Sequence, residues 1–349
     1  MNDITKRALE IVRGYDGPKI RIMEVCGTHT HEIFRLGIRK ILPENIELIA
    51  GPGCPVCVTP VSYIDEAIYL ALEKGCMICT FGDLVRVPGS KSSLARARAE
   101  GADVRVVYSP QDALRLAEED PEKEVVFLSV GFETTVPGEC MAVLEAEEKG
   151  ITNFSLLVAN KTMPNAYEAL KDSADAFLYP GHVSVITGER DGKKLLEEGI
   201  SGVIAGFTAE ELLLALAVIV TRAKQGKPFF ENCYPRVVRQ EGNPSAMAVI
   251  DQVMEACDTE WRGLGMIPGS GLKLREAYAS YDARKKFEIP SMDGKGNPAC
   301  RCGEVLRGEI RPTDCPLFGK ICTPEDPVGA CMVSSEGNCA AYYQYGEWN

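Results

Sequence analysis

The sequence has 349 residues, of which 45% are hydrophobic and 25% are charged, and this composition excludes a disordered chain, a collagen-like fibre and a low-complexity segment. The formal net charge of −12 argues against nucleic acid as a partner, because phosphate backbones bind basic surfaces. The longest apolar run, residues 212–220, is far shorter than the roughly 20 residues that span a bilayer. No membrane partner is therefore expected.

The chain contains fourteen cysteines. Residues 1–14 are charged and lack the apolar centre of a secretory signal, so we expect a cytoplasmic protein whose cysteines are reduced. Reduced cysteines in that compartment commonly serve metal binding or thiol redox chemistry.

Short apolar runs alternate with amphipathic stretches through the first two thirds of the chain. The runs are nearly continuous and end at Gly, Pro or Asp, which is typical of strands buried on both faces of a parallel sheet. The alternation predicts βαβ units, and the number of strands favours two sheets over one. The predicted strands are residues 20–25, 46–50, 77–81, 104–108, 125–130, 154–159 and 202–205.

Two stretches indicate domain boundaries: the acidic segment 118–124, and the segment 225–228 that follows a long predicted helix. The predicted fold class is α/β, with two parallel-sheet α/β domains and a helical, loop-rich C-terminal domain. The predicted domains are 15–120, 121–226 and 227–349, with residues 1–14 as a candidate addition to the third.

The C-terminal domain changes character along its length. Helices are predicted at 246–257 and 272–287, but from residue 290 the pattern gives way to Gly, Pro and Cys. We do not expect an apolar core to hold this segment, whereas metal–thiolate bonds could replace one. It contains no C-x2-C pair, so spacing alone leaves zinc and an iron–sulfur cluster open. The six cysteines of this segment are Cys300, Cys302, Cys315, Cys322, Cys331 and Cys339.

Two loops of the first domain carry a second group of cysteines. One loop contains Cys26 and His29, and the other contains the C-x2-C pair of Cys54 and Cys57. Each loop follows a predicted strand and precedes a predicted helix, so both should emerge at the carboxyl edge of a sheet, where α/β proteins build their sites. Helix N-termini stabilise thiolates, so lowered pKa values are expected at Cys54 and Cys26. The C-x2-C pair is typical of reversible disulfide exchange.

A zinc site is an alternative for part of this group. Cys54, Cys57, Cys76 and Cys79 have the spacing of a four-cysteine zinc site. However, Cys76 and Cys79 lie on a predicted buried strand, where residues three apart point to opposite faces. Core packing is therefore favoured for these two. The remaining cysteines, which we expect to be structural, are Cys140, Cys233 and Cys257.

Polar residues follow two other apolar runs. Glu133 and Thr134 lie in the loop after residues 125–130, where both a helix cap and a polar site facing the first domain are open. His182 is expected to border a cleft between domains. His31, close to the first cysteine loop, fits a structural role as well as a role in the site.

Several motifs together resemble one known family, the HypD family of [NiFe]-hydrogenase maturation proteins. The resemblance covers essentially the whole chain. It implies an accessory protein that assembles a metal group rather than a conventional turnover enzyme. The segments that carry it are Glu24–Thr30, Gly51–Cys57, Gly131–Thr135, Cys315–Cys322 and Gly329–Tyr343.

The resemblance also implies partners and a cargo. With the small partner HypC, such proteins form the scaffold on which an iron carrying two cyanides and one carbon monoxide, the Fe(CN)2CO group, is assembled. Cyanide arrives from HypE, with HypF upstream, and the hydrogenase large subunit is served indirectly. Cys26 is implied to bind the iron together with a HypC cysteine, and His29 to ligate the iron or to hydrogen-bond a cyanide.

A [4Fe–4S] cluster is implied for the C-terminal segment, with Cys302 and Cys331 as non-ligands. Cys54 and Cys57 are implied to be a dithiol/disulfide pair that receives reducing equivalents from this cluster. The cluster passes one electron at a time, whereas the disulfide takes two. The implied ligands, in a C-x14-C-x6-C-x16-C arrangement, are Cys300, Cys315, Cys322 and Cys339.

Two other functions stay open at this stage. The same cluster and dithiol would also suit a disulfide reductase that acts on a separate protein substrate. A zinc-stapled α/β binding module is the third possibility.

Overall fold

The computed structural model describes residues 3–346. Within that range the chain forms two parallel sheets, an antiparallel hairpin and the helices that cover them, so the predicted α/β class with two parallel sheets is confirmed. The strands are β1 (Ile20–Glu24), β2 (Ile46–Ala50), β3 (Met77–Thr80), β4 (Val104–Val106), β5 (Val125–Ser129), β6 (Phe154–Val158), β7 (Ala176–Pro180), β8 (Gly202–Ala205), β9 (Phe230–Asn232), β10 (Met254–Trp261) and β11 (Gly265–Leu274).

Most helices lie between consecutive strands, as βαβ connections require. The α-helices are α1 (Asp3–Arg13), α2 (Gly27–Arg35), α3 (Pro55–Val58), α4 (Val61–Leu72), α5 (Leu94–Ala99), α6 (Pro110–Glu119), α7 (Val136–Lys149), α8 (Pro164–Ala169), α9 (Gly181–Thr187), α10 (Arg190–Glu197), α11 (Ala209–Ala223), α12 (Pro244–Val253), α13 (Ala283–Lys286), α14 (Cys302–Leu306) and α15 (Asn338–Tyr345). The 3-10 helices are Ile38–Ile41, Gly82–Leu84, Lys171–Ser173, Glu276–Tyr281, Pro312–Asp314 and Ala330–Met332.

The two parallel sheets draw their strands from different parts of the sequence. The first sheet has the order β2-β1-β7-β8-β9, and the second has the order β4-β3-β5-β6. The second sheet therefore comes from one continuous stretch, which is inserted between two stretches that build the first. The segment 15–120 contributes strands to both sheets, so the predicted division at residue 120 does not separate them. The domain limits themselves stay predictions.

The two sheets share one continuous apolar core. Met23 of β1 and Ile49 of β2 belong to the same cluster of buried side chains as Ile78 of β3 and Val126 of β5. Ile22, which precedes Met23 on β1, points to the opposite face of the sheet and packs in a separate cluster with residues of α1 and α11. This alternation follows from the two-residue period of a strand.

Two strands and two helices of the fold depart from the predictions. The predicted strands did not include β7, at the centre of the first sheet, or the three-residue β9. The apolar run of β7 is short and ends in a proline, and both properties weaken a strand prediction. The predicted helices at 246–257 and 272–287 are wrong in part, because α12 ends at Val253 and the chain then enters the β10–β11 hairpin. From Met254 onward the burial alternates with a period of two, which is the period of a strand.

The C-terminal tail is held by apolar contacts as well as by its cysteines. Val305, Leu306, Leu317 and Met332 are buried, and most of the tail's buried side chains join the shared core. The expectation that no apolar core would hold this segment is therefore wrong, because short turns bury side chains without a regular period. Within residues 3–346, no helix has both the length and the apolar character needed to cross a membrane.

Candidate functional site

The two cysteine loops of the N-terminal region lie side by side. β1 and β2 are adjacent and parallel, with Glu24 opposite Ala50, so the loops that follow them leave the same edge of the first sheet. The amide of Gly27 donates to the carbonyl of Gly53 over 3.1 Å. A Cβ at Gly53 would overlap the backbone of Cys26, so the loops can touch only because this residue is glycine. The predicted position at the carboxyl edge is confirmed.

Cys26 directly precedes α2 and is 8% exposed. Burial raises the pKa of its thiol to about 11, although the amides of Thr28 and His29 act in the opposite direction. The expected lowering of the Cys26 pKa is therefore wrong, because the loss of hydration outweighs the helix N-terminus. The Cys26 thiol therefore stays neutral until a base accepts its proton or a bound metal cation displaces it.

Glu336 is a site residue that the sequence predictions missed. The hydroxyl of Thr28 donates to its carboxylate over 2.8 Å. Its charge adds to the rise that burial causes in the pKa of Cys26, and it offsets part of the lowering that burial causes in the pKa of His182. A Cβ at Gly27 would overlap Glu336, so the tail approaches closely here too. The only sequence signal is its place in the tail segment that carries the family resemblance.

His29 is fully buried on α2. Its Nε2 lies 3.0 Å from the carbonyl of Gly206 and 3.3 Å from that of Ala205. Carbonyl oxygens only accept, so Nε2 carries the ring proton and Nδ1 has a free lone pair. Among the described residues, Nδ1 has no hydrogen-bond partner. Burial lowers the pKa of His29 to about 4, so the ring is neutral at physiological pH.

The rings of His182 and His29 both contact the ring of Phe207. Its ring stacks on Phe207 with centroids 3.9 Å apart, and the His29 ring lies 4.7 Å from Phe207. His182 itself is exposed, at the start of α9 after β7. His31 is placed elsewhere: its Nε2 lies 3.1 Å from the hydroxyl of Tyr345 in α15.

Glu133 is buried in the loop that follows β5 of the second sheet. Its Oε1 accepts from the amide of Met163 over 2.9 Å, and its Oε2 is buried without a hydrogen-bond partner in the described part of the chain. Burial raises the pKa of Glu133 to about 7. Both Glu133 and Cys26 act on the buried Tyr167 hydroxyl and raise its pKa, after burial and Tyr179. Thr134 is exposed.

The C-x2-C pair is buried at the start of α3. Cys54 is 2% exposed and Cys57 is 0% exposed. Cys54 is the N-cap residue, and its Sγ accepts from the amide of Cys57 over 3.3 Å. Pro55 stands at the first helical position, which its fixed backbone angle favours. The pair is therefore shielded from reagents in solution.

The C-x2-C pair is connected to the C-terminal cysteines through Cys331. Helix α3 packs against the 3-10 helix Ala330–Met332, and the side chains of Cys302, Cys339 and Cys57 lower the pKa of the buried Cys331 thiol. The Sγ atoms of Cys300 and Cys302 are 3.2 Å apart. The C-x2-C pair and most cysteines of the tail thus belong to one buried cluster of side chains. No spacing rule indicates this role for Cys331 or Cys302, since the contacts join distant parts of the chain.

All four implied cluster ligands line one cavity in the C-terminal tail. Cys302 also lines it, and the remaining walls are a glycine and apolar side chains. A Cβ at Gly329 would lie 2.7 Å from the Sγ atoms of both Cys300 and Cys302, so this glycine leaves room beside the sulfurs. Four thiols around a dry cavity are the donor set that a [4Fe–4S] cluster needs.

Backbone amides point at one of these sulfurs. The amide of Val328 donates to the Sγ of Cys322 over 3.3 Å, and the amide of Gly329 acts in the same way. Burial raises the pKa of Cys322, and the two amides offset part of that rise. Such N–H···S contacts favour the thiolate that metal binding requires.

The zinc alternatives find no support in this geometry. Cys76 packs in the shared core and Cys79 in the cluster on the other face of the second sheet, as the strand period predicts. They cannot join Cys54 and Cys57 around one ion. In residues 3–346, no set of three or more Cys, His, Asp or Glu side chains is arranged around a single metal ion. A [4Fe–4S] cluster does not require its ligands to surround a single ion, because each thiolate binds a different iron.

The family model and the similar proteins identify the same family. The sequence model of the hydrogenase formation hypA family, HypD, matches residues 3–346. The hydrogenase maturation factor HypD of Cupriavidus necator is 44% identical over 345 residues, which cover 95% of this chain and 91% of that protein. The HypD proteins of Rhodobacter capsulatus and Azotobacter vinelandii are 46% identical over 337 residues (94% of this chain, 89% of that protein) and 45% identical over 338 residues (93% and 89%). The chain therefore belongs to the HypD family.

Proposed function

We propose that this protein is a hydrogenase maturation factor, a redox-active scaffold on which the Fe(CN)2CO group of [NiFe]-hydrogenase is assembled. The names of its relatives, hydrogenase maturation factor HypD, support the general role. The detailed proposal is carried by one observation: Cys26, the C-x2-C pair and the cysteines of the tail lie next to one another. Cys26 touches the loop of the C-x2-C pair, and helix α3, which carries Cys57, packs against the 3-10 helix Ala330–Met332, which carries Cys331.

Cys26 is the proposed anchor of the iron cargo. Its thiol is neutral while buried, so binding of a cationic iron must displace the proton, which the positive charge of the metal favours. His29 cannot donate from Nδ1, since Nε2 holds the ring proton. Its free lone pair therefore suits an iron ligand, or an acceptor, better than a donor to cyanide. Glu336 is the charged group that acts on the Cys26 thiol, and it also acts on His182.

The cavity of the tail is the proposed site of a resident [4Fe–4S] cluster, which the donor set fits. When bound, this cluster would supply electrons one at a time. Cys54 and Cys57 do the two-electron chemistry: their disulfide bond breaks, two electrons enter, and two protons complete the dithiol. A low-potential one-electron donor is the required external reductant. The ligands would be Cys300, Cys315, Cys322 and Cys339.

The proposed partners follow the same assignment. HypC would form a stable complex and contribute a second thiolate to the iron at Cys26. HypE, with HypF upstream, would deliver cyanide, and the hydrogenase large subunit would receive the finished group indirectly. Cys26 and His182 both follow strands of the first sheet at its carboxyl edge, and His182 is exposed to an approaching partner.

Infrared spectroscopy of the anaerobically co-purified complex with HypC tests the scaffold. We expect cyanide and carbonyl bands in the wild-type complex and their loss in Cys26→Ala. The matched control is Cys233→Ala, which removes a partly buried thiol outside the site and should keep the bands. Unchanged bands in Cys26→Ala, with the complex intact, would contradict the assignment of Cys26.

The alternative function, a disulfide reductase with a separate protein substrate, is disfavoured by burial. A protein disulfide would have to reach Cys54 or Cys57, which are 2% and 0% exposed. Turnover of a protein disulfide by the reduced chain without bound iron at Cys26 would favour this alternative. We expect no such turnover.

A further inference from the structure

The loop between β8 and α11, residues 206–208, contacts the buried ring of His29 in two ways. The carbonyl of Gly206 lies 3.0 Å from the Nε2 of His29, and the carbonyl of Ala205 at the end of β8 lies 3.3 Å from it. The ring of Phe207 lies 4.7 Å from the His29 ring, measured between centroids. The position of the loop therefore determines where the ring proton of His29 is held.

Glu211, in the first turn of α11, fixes this loop with its carboxylate. Its Oε2 accepts from the amide of Phe207 over 3.0 Å and from the amide of Thr208 over 3.1 Å. The hydroxyl of Thr208 accepts from the Glu211 amide over 3.3 Å, so the two residues form a capping box. A Cβ at Gly206 would overlap the carboxylate, so this close approach requires a glycine. The amides of the loop are thus bound to Glu211, while the carbonyl of Gly206 faces His29.

The second carboxylate oxygen of Glu211 also has a partner. The Nε of Arg236 donates to Oε1 over 2.7 Å, and the side chain of Glu211 is only 15% exposed. The guanidinium of Arg236 lies 4.9 Å from the ring centroid of Tyr234, and that ring meets the ring of Phe207 edge-on at 6.2 Å. With partners on both oxygens, the carboxylate of Glu211 is held in one orientation.

For His29 the consequence is a fixed tautomer. A buried N–H without an acceptor is costly, so the ring proton stays on Nε2, the nitrogen that faces the two carbonyls. Nδ1 is buried and has no hydrogen-bond partner within residues 3–346. Histidines that ligate a metal commonly donate their other ring N–H to a backbone carbonyl or a carboxylate, which orients the ring. The contacts of His29 have this form, with Nδ1 as the nitrogen that stays open.

We propose that Glu211 is a positioning residue of the Cys26 site: it holds the loop 206–208, and the loop keeps the ring proton of His29 on Nε2 and the Nδ1 lone pair open. Glu211 acts through the backbone of the loop. This inference rests on the proposed function for the use of the lone pair, since there His29 is a ligand of the iron bound at Cys26.

The test is nitrogen-15 NMR of the histidine rings in the full chain. The chain has three histidines, and the signals of His29 are identified by their absence in His29→Gln. In the wild type we expect one tautomer, with the proton on Nε2, and slow exchange of this proton with water. In Glu211→Ala the amides of the loop lose their acceptor. We expect the His29 ring proton to exchange about tenfold faster there, the factor that corresponds to the loss of one hydrogen bond.

Three further variants separate this contact from helix capping in general. Glu211→Gln keeps an oxygen that accepts from the loop amides, so it should resemble the wild type. Glu211→Asp keeps the charge but is one methylene shorter, so it should resemble Glu211→Ala, and it takes the place of that variant if Glu211→Ala does not fold. Ser109→Ala removes the N-cap of α6, whose hydroxyl accepts from the Asp112 amide, and should leave the exchange of His29 unchanged.

Infrared spectra of the anaerobic complex with HypC relate the ring of His29 to the iron. We expect Glu211→Ala to lose most of the intensity of the cyanide and carbonyl bands at equal protein concentration. Glu211→Gln should keep the bands, because the loop is still held. Ser109→Ala should keep them as well.

The outcomes distinguish this inference from the proposed function. Equal exchange of the His29 ring proton in wild type and Glu211→Ala would overturn the role of Glu211, as would equally fast exchange in Ser109→Ala and Glu211→Ala. Faster exchange with unchanged infrared bands in Glu211→Ala would overturn its role at the iron, while the proposed function would stand. A wild-type complex without these bands would overturn the proposed function, and the exchange rates would still decide whether Glu211 holds His29.

Discussion

Burial, rather than the helix N-terminus, decides the protonation of the residues around Cys26. It raises the pKa of Cys26 to about 11 and lowers that of His29 to about 4, so both are neutral near pH 7. Burial also raises the pKa of Glu133 to about 7, so this carboxyl exchanges its proton near that pH. A neutral pocket suits the uptake of a cationic iron, since the incoming charge then meets ligands that can be deprotonated by the metal itself.

At the scale of single residues, the ligand set of the tail is testable by removing one thiol at a time. Cys322→Ala should lose the cluster iron, because one of four ligands and its amide contacts are removed. Cys302→Ala is the matched control, since Cys302 lines the same cavity but is not an implied ligand. Iron and acid-labile sulfide are measured in anaerobic protein. Full iron content in Cys322→Ala, or equal loss in both variants, would show that the set is wrongly assigned.

At the scale of elements, the sequence predicted what depends on local patterns. Seven strands and the two cysteine loops at a sheet edge follow from continuous apolar runs and from the strand–loop–helix order. The β10–β11 hairpin was not predicted, because the alternation that identifies β10 begins directly after the helical pattern of α12. The association of β7 with β1 was not predicted either, since it joins residues more than 150 positions apart.

The contact between the two cysteine loops depends on one glycine. Gly53→Ala would place a Cβ against the backbone of Cys26, and we expect a loss of about 1–3 kcal/mol in the free energy of unfolding. Gly82→Ala is the control, because a Cβ there would meet only Val106 at 3.8 Å and should cost little. Urea unfolding of both variants measures the difference. An unchanged midpoint and slope in Gly53→Ala would mean that the loops can separate without cost.

Helix α7 carries a buried carboxyl that should make stability depend on pH. Burial raises the pKa of Glu139 from 4.5 to about 7, although Ser129 and Asn160 oppose the rise. The folded state then holds the proton more tightly than the unfolded chain, so the free energy of unfolding falls as the pH rises from about 4.5 to about 7, and stays low above that.

Glu139→Gln removes this contribution. At pH 8 the variant should be more stable than the wild type by on the order of 2 kcal/mol, and the difference should vanish near pH 4.5. Glu148→Gln, at the exposed end of the same helix, should show no such dependence. Urea unfolding at several pH values measures both. A difference that is the same at all pH values would refute the raised pKa of Glu139.

At the scale of the whole molecule, the C-terminal tail completes the site. It brings Glu336 to Cys26 and Cys331 to Cys57, and Asn338 fixes it by donating to the carbonyl of Ala50 over 2.9 Å. A metal group in the tail was predicted from the sequence and stays a prediction, whereas neither Glu336 nor Cys331 was predicted in its observed position. Their contacts span almost the full length of the chain, and no local pattern encodes them. The tail thus links the two groups of cysteines into one system.

The most direct test asks whether electrons reach the buried C-x2-C pair through the tail. The Cys54–Cys57 disulfide is formed by mild oxidation, dithionite is added anaerobically, and the two thiols are counted by alkylation and mass spectrometry. The pair is almost inaccessible to solvent, so direct reduction should be slow. We predict rapid reduction in the wild type and an oxidised pair in Cys322→Ala, even though a loosened tail would expose the pair further. Equal rates in both proteins would contradict the account.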